Sequence, residues 1–420
     1  MNNFYETIIV GGGQAGLSSS YYLRKQNLNH IVLEKADSPA NVWRTDRWDS
    51  FTLLTPNWTF QLPGAEYSDQ NPEGFMLREE IISRFDRYVK QYQLPVQFQT
   101  RVTSVELSKE IGRYSVFTDR SVLYANNVII ATGLFQKPKI PTIQHDLSKD
   151  ILQLHSGQYR NPQSLPPGAV LVVGSGQSGC QIVDELLEND RKVYQSVGSA
   201  GRAPRRYRGK DVFEWLNLVG FFDQPVSKLP SPQAKFAANP QVSGRSGGKA
   251  LNLHQFAHDG VVLLGHLKHA DNHYIWLADD LKQNLEKADK FEKELVKMID
   301  QYIEKSGLDV PAEKLPELTD GFDLPEMNEL DLNAEGITTI IWASGYSFDF
   351  SLVHLPVLDG DGYPIQERGV TAYPGLYFIG LPWLYKQKSG LLLGVGEDAE
   401  YIASIISGVP YVPDNYSFPK

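Results

Sequence analysis

Cysteine is nearly absent: Cys180 stands alone among 420 residues. A single thiol excludes a disulfide framework, a CxxC redox pair and a cysteine-rich metal site. The nine histidines show neither HExxH nor any other ligand spacing; His254, His258, His266, His269 and His273 are scattered through one stretch, so no metal centre is expected. No apolar run approaches the ~18 residues of a membrane span. Basic residues are in deficit, 40 against 50 acids for a net charge of -10, which disfavours nucleic acid as a partner. Short-period repeats and low-complexity stretches are missing. The first strand-like run starts near Glu6, which leaves no room for a signal peptide, so the expectation is a soluble cytoplasmic protein with no membrane partner.

What is present is ordinary for a globular chain, 41% apolar and 21% charged. At roughly 150 residues per domain, the length suggests two or three domains. One pattern occurs twice. Thr7-Ile8-Ile9-Val10 meets Gly11, Gly13 and Gly16, then an apolar stretch through Tyr22 and Leu23. Val170-Leu171-Val172-Val173 meets Gly174, Gly176 and Gly179, followed by Ile182, Val183, Leu186 and Leu187. Each reads as a buried strand, a tight glycine turn and a helix, and each is followed by a second strand, His30-Ile31-Val32-Leu33 or Lys192-Val193-Tyr194. Two βαβ units predict two doubly wound α/β domains.

Further along, Val128-Ile129-Ile130 runs into Ala131-Thr132-Gly133, and Thr339-Ile340-Ile341-Trp342 runs into Ala343-Ser344-Gly345. A Gly-, Pro-, Ser- and Asn-rich segment, about 213–275, reads as a long excursion. An amphipathic helix is expected over about 278–305, with Leu281, Leu285, Phe291, Leu295, Met298, Ile299 and Tyr302 on one face docking on the protein's own core. Residues 309–332 read as a solvated return loop, 375–380 as another buried strand, and a last helix is expected from near Glu397.

The chemistry lies in the glycine turns. In Gly11-Gly12-Gly13-Gln14-Ala15-Gly16 the backbone turns sharply and lies against a pyrophosphate, with a helix N-terminus facing its charge. Glu34, eighteen positions after Gly16, ends the second strand. Such an acid accepts hydrogen bonds from ribose hydroxyls and repels a 2′-phosphate, which specifies FAD or NAD. In Gly174-Ser175-Gly176-Gln177-Ser178-Gly179 the continuation differs. No acid ends its second strand; instead Arg202, Arg205, Arg206, Arg208 and Lys210 crowd into nine residues. Guanidinium groups there suit a 2′-phosphate by charge and forked hydrogen bonding, and the alternative is an exposed loop pairing with the chain's excess acids. The reading is NADPH in the second unit, and therefore FAD in the first. Cys180, next to Gly179, is read as a small packing residue.

The order of these parts resembles the class B flavin-dependent monooxygenases, the group of the flavin-containing monooxygenases, the plant YUCCA-type enzymes and many bacterial relatives. The resemblance covers essentially the whole chain. It rests on Gly11 to Gly16, Asn41-Val42-Trp43, Ala131-Thr132-Gly133, His155-Ser156-Gly157-Gln158-Tyr159-Arg160-Asn161-Pro162 and Gly174 to Gly179, with Arg205-Arg206-Tyr207-Arg208-Gly209-Lys210-Asp211 and Gly380-Leu381-Pro382-Trp383 as further stretches. The sequence departs from the family at Lys149 and Ile151, where Phe and Gly are expected, at Asn41 for Gly, and at Ser344 for Thr.

The resemblance implies two Rossmann-like dinucleotide-binding domains, the NADPH domain inserted into the FAD domain. Their expected limits are 1–145 and 335–420 for FAD, and 146–334 for NADPH. It implies an NADPH-consuming monooxygenase that puts one oxygen of O2 into a small organic substrate at nitrogen, sulfur or a carbonyl, through a C4a-hydroperoxyflavin. The expected FAD contacts are Gly11, Gly13, Gln14, Ala15, Gly16, Glu34, Lys35, Trp43, Arg44, Val102, Ala131, Thr132, Gly133, Gly380 and Leu393. Those of NADPH are Gly174, Ser175, Gly176, Gln177, Ser178, Gly179, Arg202, Arg205, Arg206, Ser344 and Gly345. Trp43 is alternatively a core tryptophan. Asn57 is the expected catalytic residue, its carboxamide near the reactive flavin edge; otherwise it is a turn residue after Pro56. Pocket residues are expected from 52–58, 213–222 and 383–393. Two other functions fit the same parts, an NADPH-dependent flavin reductase or oxidase and a flavin-binding redox sensor or interaction protein.

Overall fold

The computed structural model describes residues 3–237 and 239–411. The buried run of β1 (Phe4–Val10) ends at glycine, α1 (Gln14–Lys25) crosses over, and the fully buried β2 (His30–Leu33) returns parallel to β1. There follow α2 (Asn41–Thr45), α3 (Arg78–Gln91), β3 (Val96–Gln97), the antiparallel pair β4 (Val102–Leu107) and β5 (Tyr114–Thr118), and the long β6 (Val122–Ile130). A short β7 (Lys137–Pro138) leads to β8 (Leu152–His155), β9 (Ala169–Val173), α4 (Gln177–Leu187) and β10 (Val193–Ser196). Next come β11 (Arg206–Tyr207), β12 (Lys210–Asp211), α5 (Val212–Leu218), β13 (Val242–Ser243), β14 (Lys249–Ala250), α6 (Leu253–His258) and β15 (Val262–Leu264). The chain continues through β16 (Leu267–Asp271), β17 (Tyr274–Leu277), α7 (Leu281–Ser306), β18 (Glu329–Asp331), β19 (Ile337–Trp342), β20 (Tyr346–Ser347), β21 (Leu376–Phe378) and α8 (Val395–Ser407).

A mixed sheet and a parallel sheet organise these elements. The first has the order β3-β2-β1-β6-β5-β4, in which β5 pairs antiparallel with the early part of β6, β4 pairs antiparallel with β5, and β21 pairs parallel with the end of β6. The second has the order β15-β10-β9-β19-β8 and is parallel throughout. Strand alternation sorts the cores. Ile9, Val32 and Ile129 face α1 and α8, while Ile8, Val10, Val128 and Ile130 pack with Phe350, Val353 and Phe378 on the other face. In the second sheet Val170, Val172 and Ile341 meet Cys180, Ile182 and Leu285, and Leu171, Ile340 and Trp342 meet Ile275 and Leu277 of the three-stranded β16-β17-β18 sheet. Each fully buried aliphatic side chain contributes about 1.5–3 kcal/mol, so these rows dominate stability.

In chain order, every strand of the second sheet falls between β6 and β21 of the first. The crossings touch, because β7 on the way out pairs antiparallel with β20 on the way back, Tyr346 opposite Pro138. Three expectations are corrected. Ile337–Trp342 is a central strand of the second sheet, so a boundary at 335 is too early and the return to the first unit begins beyond Trp342. The excursion of 213–275 is shorter than expected, since β15 is the third strand of the second doubly wound unit and β16 and β17 are ordered behind it. On α7 the residues Leu281, Leu285, Leu295, Ile299 and Ile303 are buried, but Phe291 is 41% exposed and leans on Gly201 at the helix edge. The last helix begins at Val395, ahead of Glu397, and residues 412–420 of the C-terminal stretch lie outside the described part.

Candidate functional site

Strand register places the expected residues on two edges. At the carboxyl edge of the first sheet Leu33, Val10, Ile130 and Phe378 form one row, so Glu34, Gly11, Ala131 and Ile379 follow side by side. At the second, Ser196, Val173, Trp342 and His155 form the row, so Val197, Gly174, Ala343 and Ser156 follow. Dinucleotides bind in such crevices beyond the carboxyl ends of parallel strands.

The two glycine turns are built alike. Gly11 and Gly174 have φ of +111° and +115°, which an L side chain rarely adopts. A methyl on Gly16 would sit 1.9 Å from the Gly11 carbonyl oxygen, and one on Gly179 2.1 Å from that of Gly174. These glycines let each helix start against its strand. The middle glycines differ: a methyl on Gly13 or Gly176 would meet nothing within 4 Å. Gly13 and Gly176 are the N-caps of α1 and α4, neither with a capping side chain nor an acid in the first turn. Helix N-terminal N–H groups without a protein partner, behind an open glycine, fit a pyrophosphate.

The surroundings set the two apart. Glu34 is buried; its Oε2 accepts the Gly12 N–H at 2.7 Å and its Oε1 the Ala36 N–H at 2.8 Å. The next segment runs alongside, Gln99 N–H to the Ala36 carbonyl and Thr100 N–H to that of Glu34, and delivers Val102 into β4. Lys35 is exposed. On the other side Gly380 approaches Ala15 so closely that a methyl there would lie 2.5 Å from the Ala15 Cβ. Gln14 donates to the Gly390 carbonyl at 2.9 Å, and Leu393 is buried just ahead of α8. Thr132 and the Gly133 carbonyl accept from Gln136 at 2.9 and 2.7 Å. The first cradle thus unites residues from both ends of the chain.

In the second cradle no acid follows β10. Ser175 is buried, its hydroxyl accepting the Gly198 N–H at 2.9 Å, while Gly176, Gln177 and Ser178 stay partly open. Ser344 donates to the Lys139 carbonyl, and Gly345 accepts from Lys139 N–H at 2.9 Å. His155 is buried and its titration is lowered by that burial. Its Nδ1 accepts from Gly157 N–H at 3.2 Å, so Nε2 carries the proton and donates to the Gly345 carbonyl at 2.9 Å. Tyr159 donates to Glu185 at 2.9 Å, and Ser50 of the first unit donates to the same carboxylate at 2.6 Å. Both signature-like residues therefore hold the junction of the two units.

The arginine cluster is not a free phosphate reader, and here the sequence reading is corrected. Arg202 is buried and pairs with Asp289 and, at 2.7 Å, with Glu292 of α7. Arg205 is buried with Asp211 at 2.6 Å, donates to the Leu54 carbonyl at 2.7 Å, and lies 4.3 Å over the Phe75 ring. Burial pushes the Asp211 carboxyl up and the Arg205 guanidinium down, against their mutual attraction. Arg208 pairs with Asp300 and Lys210 with Glu214. Arg206 alone of the expected three is exposed, and among the described residues its side chain makes one hydrogen bond, a long contact to the Gly247 carbonyl. The partners lie on α7, at Asp211 and at Glu214 of α5, so the spare acids of the chain have found its basic loop.

Two first-unit expectations also change. Arg44 pairs with Asp86 and donates to the Pro39 carbonyl at 3.2 Å, so its charge is satisfied away from Trp43, which packs on Phe51. Asn57 is buried with its carboxamide fully engaged: Nδ2 donates to Asn71 at 3.0 Å and Tyr67 at 3.3 Å, and Oδ1 accepts Met76 N–H at 2.7 Å. That geometry pins the 57–76 loop and leaves no donor for a ligand. The three expected pocket segments do converge. Arg205 joins Leu54 to Phe213, Phe213 stacks on Phe222 at 6.2 Å, Phe221 meets Trp383 at 6.4 Å, and Lys388 N–H donates to the Phe222 carbonyl.

The residue that sequence reading missed is Arg47. It is 9% exposed, lies 4.4 Å over Phe135, 5.4 Å over Phe51 and 5.5 Å over Trp43, and donates only to its neighbour's carbonyl, Asp46, at 2.8 Å. The signal was available in the cluster of aromatics at 43, 48 and 51, but nothing local separates Arg47 from Arg44. Among the described residues no group of three His, Cys, Asp or Glu side chains could hold a metal, and no helix is long and apolar enough to cross a membrane.

Two glycine turns of one build, each at the carboxyl ends of parallel strands in its own sheet, are the plan of a dinucleotide-binding protein. The pyridine nucleotide-disulphide oxidoreductase family matches residues 8–216. The uncharacterized CzcO-like oxidoreductase of Geobacillus kaustophilus is 32% identical over 410 residues, 97% of this chain and 99% of that protein. The chain belongs to this CzcO-like family of oxidoreductases. A probable indole-3-pyruvate monooxygenase of Arabidopsis thaliana, YUCCA7, is 28% identical over 219 residues, 49% of this chain and 50% of that protein. The structure of a flavin-containing monooxygenase from Stenotrophomonas maltophilia superposes with a TM-score of 0.65 at 19% identity, covering 97% and 99% of the two chains, and shares the fold.

Proposed function

We propose that the protein is an FAD-dependent, NADPH-consuming monooxygenase acting on a small organic substrate. The observation that carries this is the pairing of two open, uncapped glycine cradles, the first with an acid, Glu34, after its second strand and the second without one. The kinship with monooxygenases by sequence and by fold supports it. A bound flavin would supply the redox chemistry, acceptance of a hydride and activation of O2.

The chain's own work is binding, orientation and exclusion of water. The α1 N-terminus, Gly13 and Glu34 would hold the FAD pyrophosphate and ribose, and the α4 N-terminus with Gly176 would hold the pyrophosphate of NADPH. Arg206 is the arginine we assign to the 2′-phosphate, because Arg202 and Arg205 are neutralised internally. The β7–β20 crossing, His155 on Gly345, and the Ser50–Glu185–Tyr159 bonds keep the cradles in one orientation. Phe213, Phe221, Phe222 and Trp383 wall the side where three segments converge and keep it dry.

A reductase passing electrons elsewhere is the rival. A dithiol route is disfavoured, since Cys180 is buried, its thiol pushed up to about 12 by burial. The deciding experiment follows NADPH oxidation across amines, sulfides, ketones and 2-oxo acids, with product mass and hydrogen peroxide measured together. One oxygen from 18O2 in a product supports the reading. NADPH consumption with every oxygen recovered as peroxide or water, whatever the substrate, refutes it.

A further inference from the structure

Arg47 is a buried cation that the Asp46 carboxylate favours through space without forming an ion pair with it. Its neighbours in sequence and space are all satisfied: Arg44 by Asp86, Arg78 by Asp49 and Glu79, Arg160 by the Thr45, Gly157 and Tyr159 carbonyls. Arg47 has no ion pair among the described residues and uses one of its five N–H donors, on the Asp46 carbonyl. An unpaired buried guanidinium stays charged and is costly to the fold, and the faces of Trp43, Phe51 and Phe135 recover only part of that cost. Tyr346 stands against the same Phe135 ring, edge-on at 5.1 Å, and its hydroxyl overhangs Gly157 without a hydrogen bond among the described residues. Arg47 follows α2 in the first unit, Phe135 lies on the outward crossing and Tyr346 on the return. Arg47 and Tyr346 are thus brought to the junction between the two units, both against Phe135.

We propose that Arg47 is an anion-receiving residue of this junction, and that the organic substrate presents a carboxylate to it while its apolar part lies along Phe51 and Phe135. The inference rests on the monooxygenase reading for the word substrate, not for the site. The phosphates of both dinucleotides already have a helix N-terminus and an open glycine each, which leaves this guanidinium for a third ligand. Its planar fork matches a carboxylate with two parallel hydrogen bonds, and the Tyr346 hydroxyl is placed to donate a third.

The test compares benzoate with its neutral counterpart benzamide by calorimetric titration of the purified holo-protein. Wild type is expected to prefer benzoate by about tenfold or more. Arg47→Gln should erase the preference and Arg47→Lys retain part of it, with NADP+ affinity held within about twofold in both. Equal binding of benzoate and benzamide by wild type overturns the proposal without recourse to any variant. So does an Arg47→Gln protein that loses NADP+ affinity yet keeps the benzoate preference, which would assign the guanidinium to a nucleotide phosphate. Titration needs no turnover, so a protein that prefers benzoate but transfers no oxygen sinks the functional reading and leaves the site standing.

Discussion

Glu34 accepts the backbone N–H of Gly12 at 2.7 Å, which joins the end of β2 to the turn after β1 through one buried carboxylate. In the proposed reading the same carboxylate, acceptor only, would take the ribose hydroxyls of the first cofactor. Glu34→Ala is therefore expected to weaken FAD binding about ten- to a hundredfold, the range of a charge-assisted hydrogen bond. Glu34→Gln, which keeps one acceptor, should fall between. The readout is the flavin-to-protein absorbance ratio after desalting, followed by fluorimetric titration. Wild-type affinity in the alanine variant would remove Glu34 from the cofactor site.

The glycines of one turn should separate folding from binding. Gly16→Ala places a methyl 1.9 Å from the Gly11 carbonyl oxygen, so the turn must open and little folded protein is expected. Gly13→Ala meets only open space, and its stability should stay within about 0.5 kcal/mol of wild type while flavin affinity drops, because the methyl fills the cradle. Gly179→Ala and Gly176→Ala should repeat the contrast for NADPH. Urea unfolding beside cofactor titration reads both. If Gly13→Ala binds FAD normally, the cradle faces elsewhere.

The parts that were legible in the sequence are the local ones. A β-branched strand, glycines at fixed offsets and an acid ending the next strand are a short-range code, and the register confirms their edge positions. Ile337–Trp342 was readable as a buried strand, but its sheet was not, because Val173 and His155 are its partners only after folding. β15 has three residues, too few to stand out from an irregular segment. Arg202 looked free because its acids lie 87 and 90 residues away on α7. Arg44 and Arg47 are equivalent in one dimension, and packing alone paired the first and stranded the second.

Arg205 and Arg206 are adjacent and should behave oppositely. Arg205→Ala strands Asp211 in the core and is expected to cost about 3–5 kcal/mol of stability, with any kinetic change following from that. Arg206→Ala should leave stability within about 0.5 kcal/mol and raise KM for NADPH by several-fold to about tenfold, with little change for NADH. Equal responses to the two nucleotides would release Arg206 from the 2′-phosphate and return the basic loop to a purely structural part.

Asp398 gives the fold a pH signature. It is 2% exposed in the first turn of α8, with Arg368 at 3.7 Å, and burial raises its carboxyl from 3.8 to about 6. The folded state thus holds a proton that the unfolded chain has released. The stability this contributes is complete below the unfolded value of 3.8 and is lost as pH rises through about 6. The difference of about two pK units corresponds to roughly 3 kcal/mol. Asp398→Asn, neutral at every pH, removes this slope. Relative to wild type the variant should therefore gain of the order of 3 kcal/mol between pH 4 and pH 7, read as the difference in urea midpoints at each pH so that other carboxylates cancel. A difference that stays flat across that interval would show that Asp398 is ionised in the folded protein throughout, held by Arg368.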